Sequence, residues 1–141
     1  MADATYVSDL LVSHYQIPRD QIHLLIDKAA SRSNIISALS DLSTDPRIRY
    51  GDAILIYFAG HGSQIYPPSG WEYGGPGSKI QLLVPQNYSS KPGHEIPAIS
   101  DSTIGLLIDE IAHQKGDNIV RVLFLEWPRT LSNRQKKDSH L

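Results

Sequence analysis

The chain contains no cysteine. That absence excludes disulfides, thiolate zinc sites and thiol catalysis together. It fits a reducing compartment, so a cytoplasmic location is expected. No apolar run approaches the roughly 20 residues that a membrane span needs. Met1-Ala2-Asp3-Ala4-Thr5 lacks the basic-then-apolar order of a secretory signal. Charge of one sign is missing too: 13 Lys and Arg against 15 Asp and Glu leave a formal net charge of −2. Neither nucleic acid nor an anionic membrane is therefore an expected partner. No internal repeat is visible. Without a secretory route, the glycosylation sequon Asn87-Tyr88-Ser89 reads as chance.

What is present describes one globular domain: 40 % hydrophobic and 20 % charged residues over 141 positions. Val7, Leu10, Leu11 and His14 share a helical face, and Pro18 stops that helix. Ile22 to Ile26 reads as a short strand. Ser31 or Ser33 caps a second helix with Ile35, Ile36, Leu39 and Leu42 on its buried side, ending at Asp45-Pro46. Ala53 to Ala59 is a nearly unbroken β-branched and aromatic run, as in a parallel strand buried on both faces, and it stops at Gly60-His61-Gly62. A long loop is expected from Ser63 to Lys79, a short strand from Ile80 to Val84, and another loop from Gln86 to Ser100. Asp101 caps a third helix carrying Ile104, Leu107, Ile108 and Ile111, closed at Lys115-Gly116. Ile119 to Leu125 is a second long strand. This order predicts an α/β sandwich around a mostly parallel sheet. The domain is read over residues 1–128, with a disordered polar tail over 129–141.

The sharpest feature is Ile56-Tyr57-Phe58-Ala59-Gly60-His61-Gly62-Ser63. It puts a titratable side chain between two glycines at the carboxyl end of a buried strand. Open α/β sheets hold their sites at such ends. Glycine permits sharp turns and close backbone approach. An imidazole, with an ordinary pKa of about 6.5, suits proton transfer near neutrality.

The stretch from Asp52 to Ser63 resembles the histidine motif of the caspase and metacaspase cysteine peptidases, a strand of the form D-x-hydrophobic-F-Y-x-G-H-G. Further stretches follow in the family's order. Asp3-Ala4 with Val7 is similar to the start of its first helix. Ile17-Pro18 through Ile22 and Leu25 looks like the link into its second strand. Ala30 to Leu39 is similar to its A-T-R-x-N-I-x-x-A-L helix. Gly70-Trp71-Glu72 and Val84-Pro85 resemble the loop and minor strand after the histidine, and Ser100 to Ile104 the next helix. The resemblance implies a three-layer caspase-like sandwich and a cysteine-type endopeptidase acting on polypeptide substrates. It implies His61 as general acid/base and the Gly62 backbone N–H as an oxyanion donor. It implies Asp3 and Ala59 at the pocket for a basic P1 side chain, although Asp3 serves equally as a helix N-cap. No cofactor is expected; calcium enters only through the resemblance, with Glu72, Asp101, Asp109, Glu110 and Asp117 as scattered carboxylates and no calcium-type ligand loop.

Two departures are plain. The family's nucleophile follows the strand matched here by Ile119 to Leu125, but this chain continues Glu126-Trp127-Pro128-Arg129. There is no nucleophile, and no peptidase activity is expected: losing one member of a coupled catalytic set costs on the order of 10⁶ in turnover. The family's first strand also has no counterpart ahead of Asp3. In the family it lies between the strands matched by Ile22–Ile26 and Ala53–Ala59. Those two must therefore pair directly or leave backbone groups unpaired, at about 1–3 kcal/mol per buried group. One expectation is a gene model that starts late and reads past a splice junction near Ile119. The alternative is a non-catalytic pseudo-caspase that pairs with an active caspase-like chain.

Other readings are weaker. His14, His23, His94, His113 and His140 share no metal-ligand spacing, so no metal site is expected. Trp71, Tyr73 and Tyr66 line a substrate groove or cover the sheet, with cover preferred. An α/β-hydrolase needs G-x-S-x-G, which does not occur. Gly74-Gly75-Pro76-Gly77-Ser78-Lys79 does not match a phosphate loop.

Overall fold

A computed structural model describes residues 3–71 and 74–126. The expected tail over 129–141, with Glu72 and Tyr73, lies outside the described residues. The class is α/β: the described residues form three helices and a four-stranded mixed sheet whose strands, in chain order β1 (Ile54–Ile65), β2 (Ile80–Leu83), β3 (Ile99–Ser100) and β4 (Ile119–Glu126), lie side by side as β3-β2-β1-β4.

Helix α1 spans Ala4–Ser13, and Asp3 is its N-cap, its Oδ1 accepting from Thr5 N at 2.6 Å. Helix α2 spans Arg32–Thr44 behind Ser31, whose Oγ accepts from Asn34 N. Helix α3 spans Asp101–Lys115. Its cap is Ser100 rather than the expected Asp101: Ser100 has extended backbone and its Oγ accepts from Thr103 N at 3.2 Å, leaving Asp101 as the first helical residue. Gly116 ends α3 at φ 89°, a left-handed conformation that glycine adopts without a Cβ penalty, and its N–H returns to Ala112 O.

Strand β1, Ile54–Ile65, is longer than the apolar run and does not stop at Gly60. Its first part pairs in parallel with β4, Ile119–Glu126, in the register Ile54↔Ile119 to His61↔Glu126. Its last part, placed in a loop by composition, pairs antiparallel with β2, Ile80–Leu83, from Gly62↔Leu83 to Ile65↔Ile80. The two-residue β3, Ile99–Ser100, pairs antiparallel with β2 at the end of what reads as loop. The sheet is therefore mixed, and only β1 and β4 are parallel.

The segment expected as a strand at Ile22–Ile26 forms none. It runs between two short 3₁₀ turns, Arg19–Gln21 and Asp27–Ala29. Ile22 and Ile26 have extended backbone there, yet no ladder joins the segment to β1. The expected direct pairing of the two segments does not occur.

The core lies on one side of the sheet. Leu39 of α2, Ile104 of α3, Leu83 and Ile99 cluster there, with Ile35, Ile36, Leu42, Leu107, Ile108, Ile56 and Phe58 packed around them. The helical faces read for α2 and α3 are thus the faces that pack. The opposite sheet face is thinly covered. β1 is not buried on both sides: Leu55 is 47 % exposed, and Val120 and Phe124 of β4 are 56 % and 57 % exposed. Helix α1 touches β1; it buries Ser8, while Leu10, on the expected face, stays exposed. A helix against a half-covered sheet has too little apolar surface opposite it to bury a full stripe.

Polar bonds tie α2 to α3. Lys115 Nζ donates to Asp45 O and Ile48 O at 2.8 and 2.9 Å. The Asp45 carboxylate accepts from Arg47 N, Nε and Nη2. The Arg47 side-chain bond holds the Asp45 pKa down, from the usual 3.8 to about 2. A carboxylate with a depressed folded-state pKa stabilises the fold above its unfolded value and loses that contribution as pH falls through the folded one. Asp45→Asn is expected to make the acid-induced stability loss between pH 3.8 and about 2 shallower, read by urea unfolding across that range. Ile111 is fully buried, and Ile111→Ala is expected to cost about 2–5 kcal/mol in the same measurement at neutral pH.

Candidate functional site

His61 stands where β1 changes partner. Its Cα neighbour on one side is Glu126, the last described residue of β4. On the other side its carbonyl accepts from Val84 N at 3.0 Å, just past β2. Side chains alternate across a strand. Ile54, Ile56 and Phe58 face the helical core, so Leu55, Tyr57, Ala59 and His61 point to the thinly covered side. Parallel partners share a face, which puts Val120, Val122, Phe124 and Glu126 beside them. The Tyr57 and Phe124 rings meet there with centroids 5.9 Å apart. The imidazole is thus exposed, at the end of an apolar strip and at the carboxyl end of the parallel pair. The strand end expected at Gly60-His61-Gly62 is not found: His61 lies inside β1, which runs on to Ile65, at the point where its partner changes.

The glycines on either side have different jobs. A Cβ on Gly60 would meet the Phe58 ring at 2.8 Å, and a ring can swing aside. A Cβ on Gly62 would meet Leu125 Cβ at 3.0 Å and Cδ1 at 3.2 Å. Leu125 Cβ is fixed to the β4 backbone, so Gly62 lets β4 approach at full depth. The direction of the Gly62 N–H follows from alternation. Ile54 N donates to Asn118 O beside β4 and the His61 carbonyl serves the β2 side. Even-numbered β1 peptides therefore face β4, and the Gly62 N–H turns toward β4 at its last described rung.

The remaining sequence candidates separate. Asp3 is occupied as the α1 N-cap, and no hydrogen bond or ion pair joins it to His61 among the described residues. Ala59 shares the His61 face two residues earlier, with Phe124 as its β4 neighbour. Tyr66 and Trp71 are 61 % and 69 % exposed, so they do not cover the sheet; Tyr66 instead lies under Lys79 Nζ, 4.8 Å from its ring centroid, where the β1–β2 connection closes. Asp101, Asp109 and Glu110 are spread along α3, and Asp117 follows it. Among the described residues no three His, Asp or Glu side chains gather as a cation would require. Asn87 of the sequon accepts from Arg32 N at 2.9 Å, fastening the loop after β2 to the start of α2.

Sequence reasoning missed Glu126 as a neighbour of His61. The strand boundary at Leu125 stops one residue short of it, and no local signal carries a register across the 65 positions between them. Compared with family models, curated proteins and solved structures, the chain finds no match. Among the described residues, no helix is long and apolar enough to cross a membrane.

Gly62→Ala is expected to destabilise the chain by about 1–3 kcal/mol, through forced separation of β1 and β4. Urea unfolding checks it. Gly60→Ala, which meets only a rotatable ring, is expected to cost less.

Proposed function

We propose that this chain is a caspase-like, cysteine-peptidase-type domain that keeps the family's histidine and oxyanion glycine but hydrolyses no peptide bond. The observation that carries this reading is the position of His61: exposed, glycine-flanked, and level with Glu126, the last described residue of the parallel partner strand. In a two-residue peptidase site, the imidazole must reach a nucleophile held on a neighbouring element. Here the residue in register is Glu126, on the same face. A carboxylate there neither attacks as a thiolate would nor supplies a proton for His61 to take.

The α/β class, the order of elements from α2 through β4 and the parallel β1–β4 pair all agree with a partial caspase-like sandwich. The role of Gly62 as an oxyanion donor rests on the resemblance alone, since its N–H turns toward the β4 ladder. The P1-pocket role of Asp3 draws no support from its capping bond. Calcium draws none from the arrangement of the carboxylates.

A second reading is favoured by the exposed strip of Leu55, Val120 and Phe124. In it the domain is a non-catalytic module that pairs with a caspase-like partner chain in the cytoplasm. Apolar surface of that kind on an otherwise ordinary domain marks an interaction face. The two readings are compatible, since a chain without a nucleophile acts only by binding.

A thiol installed beside His61 tests the placement directly. An imidazole neighbour lowers a thiol pKa and raises its thiolate fraction. Glu126→Cys is expected to react with iodoacetamide at pH 7 about tenfold faster than the same thiol in the Glu126→Cys, His61→Ala double variant, the gain from roughly one unit of pKa. Equal rates in the two would remove His61 from the proposed role. The unmodified chain is expected to cleave neither basic nor acidic P1 peptides.

A further inference from the structure

Helix α3 packs on α2, β2 and β3, and a cleft of about 450 Å³ opens where it passes β4. The walls follow the two backbone periods. Gly105, Ile108 and Asp109 stand at i, i+3 and i+4 on α3, and Ile119 and Arg121 at i and i+2 on β4. Ile119 is in register with Ile54, and Arg121 with Ile56. Both partners face the helical core, so the cleft lies on the side of the sheet away from His61. Its volume suits one small molecule.

The lining gives the cleft a chemistry. Its apolar part is Ile108 and Ile119, both partly buried. Its charged part is Asp109 and Arg121, exposed and of opposite sign. They share the cleft but form no ion pair with each other, and neither side chain has a hydrogen bond among the described residues. Gly105 is the third feature. Glycine inside a helix is destabilising relative to alanine. A Cβ at Gly105 would meet nothing within 4 Å, so no neighbour in this chain requires its absence. The missing side chain leaves room in the cleft.

We infer that this cleft binds a free α-amino acid with an apolar side chain. Its carboxylate pairs with the Arg121 guanidinium, its ammonium with the Asp109 carboxylate, and its hydrocarbon lies against Ile108 and Ile119. Opposite charges that line one cleft without meeting are matched by a zwitterion, which forms a charge-assisted hydrogen bond with each. An ion of one sign is attracted by one wall and repelled by the other. A segment inside a polypeptide offers neither charge from its backbone. The inference goes beyond the reading of His61 and does not rest on it.

The test titrates the full, isotope-labelled chain with L-leucine and follows backbone amide shifts by NMR. Saturable shifts are expected at Gly105, Ile108, Asp109, Ile119 and Arg121. Leucinamide, which lacks the carboxylate, and 4-methylpentanoate, which lacks the ammonium, are expected to bind about tenfold or more weakly. Arg121→Gln is expected to weaken L-leucine by the same factor and to leave leucinamide unchanged. Gly105→Leu is expected to abolish binding, and His61→Ala to leave it as it is. No saturable shift with L-leucine overturns the inference, as does equal binding of the three compounds or an unaltered affinity in Arg121→Gln. N-acetyl-leucine binding as tightly as L-leucine assigns the cleft to the carboxyl end of a polypeptide and overturns the free amino acid.

Discussion

The change of partner along β1 is the constraint from which the rest follows. One strand is gripped by β4 on one edge up to His61 and by β2 on the other from Gly62. That handover fixes which peptide groups are satisfied and where the imidazole emerges. The sheet is mixed because β4 runs parallel to β1 and β2 runs antiparallel to it. Gly62 is what allows it: with no Cβ, it admits Leu125 at a depth that alanine would contest.

The same arrangement leaves the molecule lopsided. Helices α2 and α3 close one side around Leu39, Leu83, Ile99 and Ile104, while the side bearing His61 keeps Leu55, Val120 and Phe124 in solvent. On the function proposed above, this strip is a binding surface.

Elements whose formation depends on neighbours in sequence were legible. The three helices sit where periodic apolar residues and small polar caps put them, because an α-helix closes its bonds within four residues. Even so, Ser100 took the cap from Asp101, a difference of one residue settled by which side chain reached Thr103 N. Strands were legible where they were strongly apolar and illegible where they were not: Ser63-Gln64-Ile65 and Ile99-Ser100 are strands only because β2 lies beside them. Conversely, Ile22–Ile26 has strand composition and no ladder.

By itself the sequence determined that no thiol chemistry is open to this chain, that it folds as helices and apolar strands in α/β order, and that a histidine sits between glycines at the end of the most apolar run. Composition and short-range periodicity suffice for those conclusions. Only the tertiary structure decided that His61 faces solvent beside Glu126, that one sheet face stays thinly covered and that β1 changes partner at His61. Those depend on strand register and on which edge each partner takes, and both are set by contacts between residues far apart along the chain.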